Sequence, residues 1–320
     1  DQFRTKPLWY SLENGEFGFA SYRSALERCG FVHIERVQPN SIFTLNLDTL
    51  EFSRLANVVN WDLVQHKDNF SHWTHAFEQS IKKRTQNLRE KIFIGLSSGY
   101  DSGSIACELN KQGVDYTAFT VMGKEPLHIL EQRQTKNHCW IQPNQELIAE
   151  AQAWIWKNVE NFRYTISSSS SDYNEYWLDL QNDGGSVGMS IICSQAKSMN
   201  CKILLSGSGA DELFSDYGFR GQKIYPHSNF GGLFPDDLSS IFPWNSFYGS
   251  SMESYLAKEE YVAGSYGIET RYPFLDKDVV QEFLWLTADL KNSAYKSVLH
   301  HYLVENNYPF IPGQKLGFGV

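Results

Sequence analysis

Three runs of the chain, KIFIGL (91–96), DYTAFTVM (115–122) and KILLS (202–206), are apolar at nearly every interior position instead of at every second one. A strand without in–out alternation is buried on both faces, as in a parallel sheet covered by helices. Between these runs the spacing turns helical, at NFSHWTHAFEQSIKKRTQNLREK (69–91), GSIACELNKQG (103–113), 145–159 and 187–199, with one more short strand at HCWIQP (138–143). Strand and helix in alternation predict an α/β fold on a parallel sheet, whose ligands bind at the carboxyl ends of the strands.

The chain before residue 57 reads differently. PLWYS (7–11), EFGFAS (16–21), FVHIERV (31–37) and SIFTLNL (41–47) follow one another too closely for long helices, with turns at Glu13-Asn14-Gly15 and Gln38-Pro39-Asn40. They predict a β-rich layer, a boundary near residues 54–61, and domains 1–57 and 58–320. The serine run at 167–171 reads as a loop. From 215 to 267 the chain is rich in Gly, Phe, Tyr, Trp and Pro with weak periodicity. So long an irregular aromatic segment in a compact domain is expected to face a substrate or an interface.

Composition narrows the classes. The 320 residues, 42% hydrophobic and 20% charged, are enough for a sizeable core. A net charge of -9 without any basic run argues against a surface that neutralises nucleic acid, and no apolar run approaches the ~18 residues of a membrane span. The five cysteines are scattered without a CxxC pair, and Cys107, Cys193 and Cys201 lie in apolar contexts, so they read as buried thiols of a cytoplasmic protein. The chain opens on Asp1 with no signal peptide and is read as a fragment or processed chain. HWTH (72–75) and His300-His301 lack further ligands at suitable spacing, so no zinc site is expected.

Two polar knots stand at strand-to-helix turns: SSGYDSG (97–103) and SGSGADELF (206–214). Each offers Ser and Gly at a strand end and then an Asp where a helix starts. Small residues let a phosphate approach the N–H groups of a helix N-terminus, and Asp101 and Asp211 are placed to share a hard cation bridging phosphate oxygens.

These residues carry a resemblance. SSGYDSGS resembles the SGGxDS pyrophosphate loop of ATP pyrophosphatases, adenylating enzymes that split ATP between its α and β phosphates. LSGSGADELF (205–214) is similar to the LSGEGADELFGGY motif of the asparagine synthetase family, and GIETRYPFLDKDVV (267–280) to its GLEARVPFLD segment. AYKSVLHHYL (294–303) and QKLGFG (314–319) match the family's two lysine-bearing segments. Upstream, DQFRTKPLWYS (1–11) and EFGFASYRSAL (16–26) resemble the back half of the family's N-terminal glutaminase domain, so the likeness covers essentially the whole chain. The front half, with its nucleophilic cysteine, is not in this sequence, and this stretch alone is not expected to hydrolyse glutamine.

The resemblance implies a parallel-sheet ATP-pyrophosphatase synthetase domain preceded by part of a β-rich, Ntn-type glutaminase-like domain. It implies an ATP- and Mg2+-dependent ligase: a carboxylate and ATP give acyl-AMP and pyrophosphate, then ammonia or an amine displaces AMP. Ser97, Ser98, Gly99, Asp101 and Ser102 would cradle pyrophosphate, with Asp101 and Asp211 on magnesium. Leu96, Val121 and the backbone of Ser206 and Gly207 would line the nucleotide. Lys296 and Lys315 would stabilise departing pyrophosphate, Lys315 foremost, and Glu269 would accept or orient a proton. Read from the residues alone, Lys296 is a solvated residue of a helix's first turn in preference to a functional one, and Arg271 and Asp276 are partners holding the turn around PFL.

Two positions depart from the family pattern. Ser98 replaces a Gly. Ser208 replaces the Glu of asparagine-forming members and the Tyr of β-lactam-forming relatives, and it has neither charge nor reach. The expectation is adenylation of a carboxylate other than free aspartate, in a pocket shaped by residues 217–266. The variants are an asparagine synthetase fed with ammonia by an upstream glutaminase half or subunit, and a peptide-directed or intramolecular amide former like β-lactam synthetases and lasso-peptide cyclases. A non-catalytic scaffold is the rival from another class.

Overall fold

The computed structural model describes residues 1–123, 125–133, 135–166 and 176–315. The serine run at 167–171 and the 316–319 part of QKLGFG lie outside the described residues. The chain divides into two compact units, Asp1–Trp61 and Asp62–Val320.

In the first unit, β1 (Trp9–Glu13) and β2 (Glu16–Ala20) form an antiparallel hairpin through the Asn14-Gly15 turn, a pair suited to a tight hairpin loop. Helix α1 (Arg23–Arg28) follows, then β3 (Glu35–Arg36) on the other edge of β1. The segment FVHIERV therefore contributes only a two-residue strand. A second hairpin joins β4 (Ile42–Leu45) to β5 (Phe52–Ala56). The strand β5 escapes periodicity because Ser53 and Arg54 interrupt it. Phe52 fixes it by stacking on Phe43, ring centroids 4.9 Å apart.

The second unit opens with α2 (Ser71–Thr85), β6 (Lys91–Gly95), α3 (Tyr100–Lys111), β7 (Tyr116–Val121), α4 (Leu127–Gln132), β8 (Asn137–Ile141) and α5 (Gln145–Asn158). A small hairpin, β9 (Arg163–Ile166) with β10 (Tyr176–Asp179), leads to α6 (Gly184–Ser198), β11 (Cys201–Leu205) and the short α7 (Ala210–Phe214). Then come β12 (Gly218–Phe219), β13 (Gln222–Lys223), α8 (Asn245–Tyr248), α9 (Ser251–Ser265), β14 (Glu269–Arg271), α10 (Lys277–Trp285), α11 (Ala288–Asn292) and α12 (Ser297–Glu305).

Five strands form one sheet in the order β14-β11-β6-β7-β8, every neighbouring pair parallel. The apolar runs sit centrally, and Phe93 on β6 meets Phe119 on β7 edge-on at 5.7 Å. One face of the sheet packs under α5, α6 and α9, through Ile155, Val187, Ile191 and Val262. Near α2, α10 and α12, Phe77 stacks on Trp73 and Phe274 and meets the Tyr302 ring edge-on. Burial on both sides explains the missing alternation. Cys107, Cys193 and Cys201 are buried free thiols. Among the described residues no helix is long and apolar enough to cross a membrane.

Candidate active site

The two polar knots leave adjacent strands, β6 and β11, at the same edge of the sheet. They touch: a Cβ added at Gly207 would lie 2.8 Å from Cβ of Asp101, so only a glycine admits this approach. Asp101 and Asp211 are thereby brought together across a cavity of about 380 Å³. Leu96, Ser97, Asp101, Ser102, Val121, Ser206, Gly207, Asp211 and Lys315, all expected from sequence, line it.

Charges alternate at its centre. Lys296, with only 2% of its side chain exposed, donates to Asp101 Oδ1 at 2.6 Å and Oδ2 at 2.8 Å, and lies 2.7 Å from Asp211 Oδ1. Lys315 donates to Asp211 Oδ2, and the Tyr295 hydroxyl donates to Asp211 Oδ1 at 3.2 Å. The reading of Lys296 as a solvated residue is therefore corrected. Its backbone stands at φ 47° before α12, a strained position for a side-chain-bearing residue that the three ammonium contacts hold in place. Burial works against the charge on Lys296, but Asp101 and Asp211 outweigh it and raise its pKa above the usual lysine range. Burial also works against the Asp211 carboxylate, yet Lys296 and Lys315 hold its pKa below the usual range. Asp101 has fewer cations, and burial together with repulsion from Asp211 pushes its pKa up.

The first loop is more occupied than a phosphate cradle requires. Ser97 N–H donates to Ser102 Oγ at 3.0 Å and Gly99 N–H to Ser97 Oγ at 3.2 Å. Ser98 donates through its N–H (2.8 Å) and its hydroxyl (2.5 Å) to Oε2 of Glu125, which itself lines the cavity. Tyr100, at the variable position of the motif, is buried against Tyr295 and Phe310, and its hydroxyl accepts from Gly313 N–H at 2.8 Å. It ties both lysine-bearing segments to the loop.

The sequence reading missed Glu259 on α9. Its Oε2 accepts from Ser206 Oγ at 2.6 Å and its Oε1 from Ser208 Oγ at 2.9 Å. Burial raises its carboxyl to about 7 despite those two hydrogen bonds. The short Ser208 thus presents a carboxylate borrowed from a helix distant in sequence. Glu259 lies inside the 215–267 stretch read as irregular, where residues 251–265 in fact form α9; the available signal was the acidic pair Glu259-Glu260. Tyr217, Tyr225, His227 and Tyr255 from that segment line the cavity too. Its irregular chain is ordered by buried Asp216, which accepts from Ser228 Oγ, from the N–H groups of Asn229 and Phe230, and from Ser246 Oγ.

Glu269 is not brought to the cavity. On edge strand β14 its side chain is 53% exposed and accepts from Arg271 Nε at 2.8 Å. Arg271 and Asp276 do not pair with each other. Asp276 accepts from Arg84 Nη1 at 2.9 Å and from Lys83 Nζ at 3.3 Å, which ties α10 to α2. The physical reason is the strand's direction: Glu269 sits opposite Ile203, upstream of the edge where the loops emerge.

The family model described as asparagine synthase matches residues 72–239. A Methanocaldococcus jannaschii protein named as a glutamine-hydrolyzing asparagine synthetase is 25% identical over 313 residues, 92% of this chain and 54% of its own. Glutamine-hydrolyzing asparagine synthetase of Bos taurus is 25% identical over 244 residues, 72% of this chain and 39% of its own. The chain thus spans about half or less of the length of these curated relatives. A solved NH3-dependent NAD synthetase from Campylobacter jejuni aligns with a TM-score of 0.30 and 15% identity, covering 61% of this chain and 77% of its own. The matched segment takes in more than half of the sequence and both polar knots, and the chain belongs to the asparagine synthase family.

Proposed function

We propose that this chain is an AMP-forming carbon–nitrogen ligase: it activates a carboxylate with ATP and passes the acyl group to ammonia or an amine. The observation that carries the reading is the cluster Asp101, Lys296, Asp211 and Lys315 at the carboxyl edge of a parallel sheet, between two loops of small residues. In the first step a substrate carboxylate oxygen bonds to the α-phosphorus of ATP. The bond from that phosphorus to the bridging oxygen breaks, and its electron pair leaves on pyrophosphate. Lys296 and Lys315 are fixed cations that meet the growing charge without having to reorganise.

Magnesium suits the donor set. Asp101 and Asp211 are the residues that would hold the ion, as carboxylate donors alongside the phosphates, with Lys296 and Lys315 balancing their charge in this structure. When bound there it neutralises phosphate charge. Among the described residues no group of three or more His, Cys, Asp or Glu converges.

In the second step the nitrogen bonds to the acyl carbon, the acyl–oxygen bond to AMP breaks, and the nitrogen loses a proton. Glu259, held by Ser206 and Ser208 and poised near neutrality, takes that proton. The nitrogen reaches it as ammonia from a glutaminase half, of which the Asp1–Trp61 unit is a part, or as an amine presented directly. The likeness to the glutamine-hydrolyzing relative, over 92% of this chain, supports the first source.

Carboxylate-dependent exchange of labelled pyrophosphate into ATP tests the first step apart from the second. Glu259→Gln should keep exchange within a factor of about two while amide formation falls roughly 10²–10⁴-fold, the usual worth of a positioned base. Exchange that survives both Lys315→Met and Asp211→Asn would sink the reading.

A further inference from the structure

The guanidinium of Arg133, just past α4, is buried directly behind the first loop with 1% of the residue exposed. It donates through Nη1 to the Ser97 carbonyl, through Nη2 to the Ser98 carbonyl at 2.9 Å and the Gly99 carbonyl at 3.0 Å, and through Nε to the Pro309 carbonyl at 3.0 Å. The Tyr308 ring covers it, centroid 5.5 Å away. A cation buried on neutral carbonyls is costly to desolvate, so its persistence calls for something the carbonyls alone do not supply.

Three consecutive carbonyls are drawn to the guanidinium, while the N–H groups of the same residues are taken by Ser102 Oγ, Glu125 Oε2 and Ser97 Oγ, so the loop backbone is pinned from both sides. Glu125 shows what partner this loop takes: its carboxylate oxygen accepts from the Ser98 N–H and hydroxyl, an anion on the loop. Space for the guanidinium is made by Gly103 in α3, where an added Cβ would lie 2.5 Å from Nη2 and 2.8 Å from Cζ. The loop, the helix and Arg133 are thus fitted to one another.

We propose that Arg133 is the positioning residue of the phosphate loop: it fixes the loop backbone where the β and γ phosphates of ATP would lie and sets a buried positive charge behind it. The proposal rests on the ATP-dependent reading above. Arg133 touches no substrate, and its effect falls on phosphate and not on the adenosine end of the cavity near Leu96 and Val121.

Calorimetric titration of the folded protein with ATP, inorganic pyrophosphate and adenosine, in the presence of magnesium, separates the possibilities. Arg133→Met should weaken ATP and pyrophosphate by at least about tenfold, roughly one lost charge-assisted interaction, and leave adenosine unchanged. Arg133→Lys should recover part of the loss. Gly103→Ala serves as a second variant: the added Cβ pushes the guanidinium off the loop, so pyrophosphate affinity falls while far-ultraviolet circular dichroism shows the helix, which alanine favours, retained, and the displaced buried charge lowers the melting temperature. If Arg133→Met binds pyrophosphate within twofold of the parent, or loses adenosine in parallel, the positioning role is overturned. A parent protein that binds neither ATP nor pyrophosphate overturns the ATP-dependent reading itself and this proposal with it.

Discussion

Replacing Lys296 by Met is the sharpest perturbation of the central cluster. The ammonium is 2% exposed, contacts three carboxylate oxygens within 2.8 Å, and leaves two carboxylates facing one another when removed. Asp211 retains Lys315 and Tyr295, whereas Asp101 loses its only direct ion-pair partner in the cluster. Removing one member of a buried pair costs about 3–5 kcal/mol, because the partner's charge stays desolvated. For a unit of this size about 1 kcal/mol moves Tm by ~2–4 °C, so the loss should be on the order of 10 °C. Adding Asp101→Asn to Lys296→Met removes the uncompensated charge and should restore most of that loss. A surface ion pair provides the contrast: Lys83 and Asp278, 49% and 62% exposed, are worth ~0–1 kcal/mol, so Asp278→Asn should move Tm little. The measurement is thermal unfolding of the three variants and the parent at pH 7. If Lys296→Met costs less than about 1 kcal/mol, or the added Asp101→Asn restores nothing, the cluster is not a desolvated network and the account of its charges fails.

Other consequences are separately measurable. Burial raises Glu259 from 4.5 to about 7, so the fold holds this proton more tightly than the unfolded chain does. The contribution to stability is full below about pH 4.5 and is lost as pH rises through 7. Glu259→Gln should therefore melt higher than the parent at pH 8 and alike at pH 4.5, while amide formation in the parent should rise with pH through about 7 and lose that limb in the variant. Tyr217→Phe strips Glu212 of its buried phenol donor and should cost about 1–3 kcal/mol in urea unfolding. Because that hydrogen bond opposes the burial that raises Glu212 to about 7, its titration, followed by the carboxyl infrared band, should move further up. An unmoved band would mean that the phenol does not stabilise the carboxylate.

The layers of the second unit were legible because burial on both faces leaves a signature that survives in one sequence. KIFIGL, DYTAFTVM and KILLS mark β6, β7 and β11, and a helical spacing at 145–159 marks α5. The first unit was only half legible. Its strands are short and partly exposed, so β5, with Ser53 and Arg54 in its middle, is held by rings from other strands and not by its own pattern. Residues 217–266 read as irregular, but α8 (Asn245–Tyr248) and α9 (Ser251–Ser265) lie within them, so the reading holds only for the residues ahead of α8. What orders them is Asp216, whose four hydrogen-bond donors lie between 12 and 30 residues away, a range at which no local rule operates.

The loops illustrate the same limit at the scale of chemistry. A motif reports what a short segment offers at one strand end, and by that measure Ser208 is a deficit, since serine brings no charge. In space the deficit is met by Glu259, whose position follows from α9 packing along α6 and delivering its polar face to the carboxyl edge of β11. Ser208 then changes its meaning: a glutamate there would set a second carboxylate against Glu259, whereas a hydroxyl donates to it at 2.9 Å. The choice of a small donor at 208 and the acid on α9 are one choice made at two places in the chain. Arg133 stands in the same relation to the first loop. Ser98 departs from the motif's glycine and donates to Glu125, and Gly103, which the sequence reading did not single out, leaves room for the guanidinium. In both loops the residue that departs from expectation is the one that makes room for, or binds, a charge supplied from elsewhere. A departure of this kind is therefore a pointer to a partner to be sought in space, and less a sign that the chemistry has been lost.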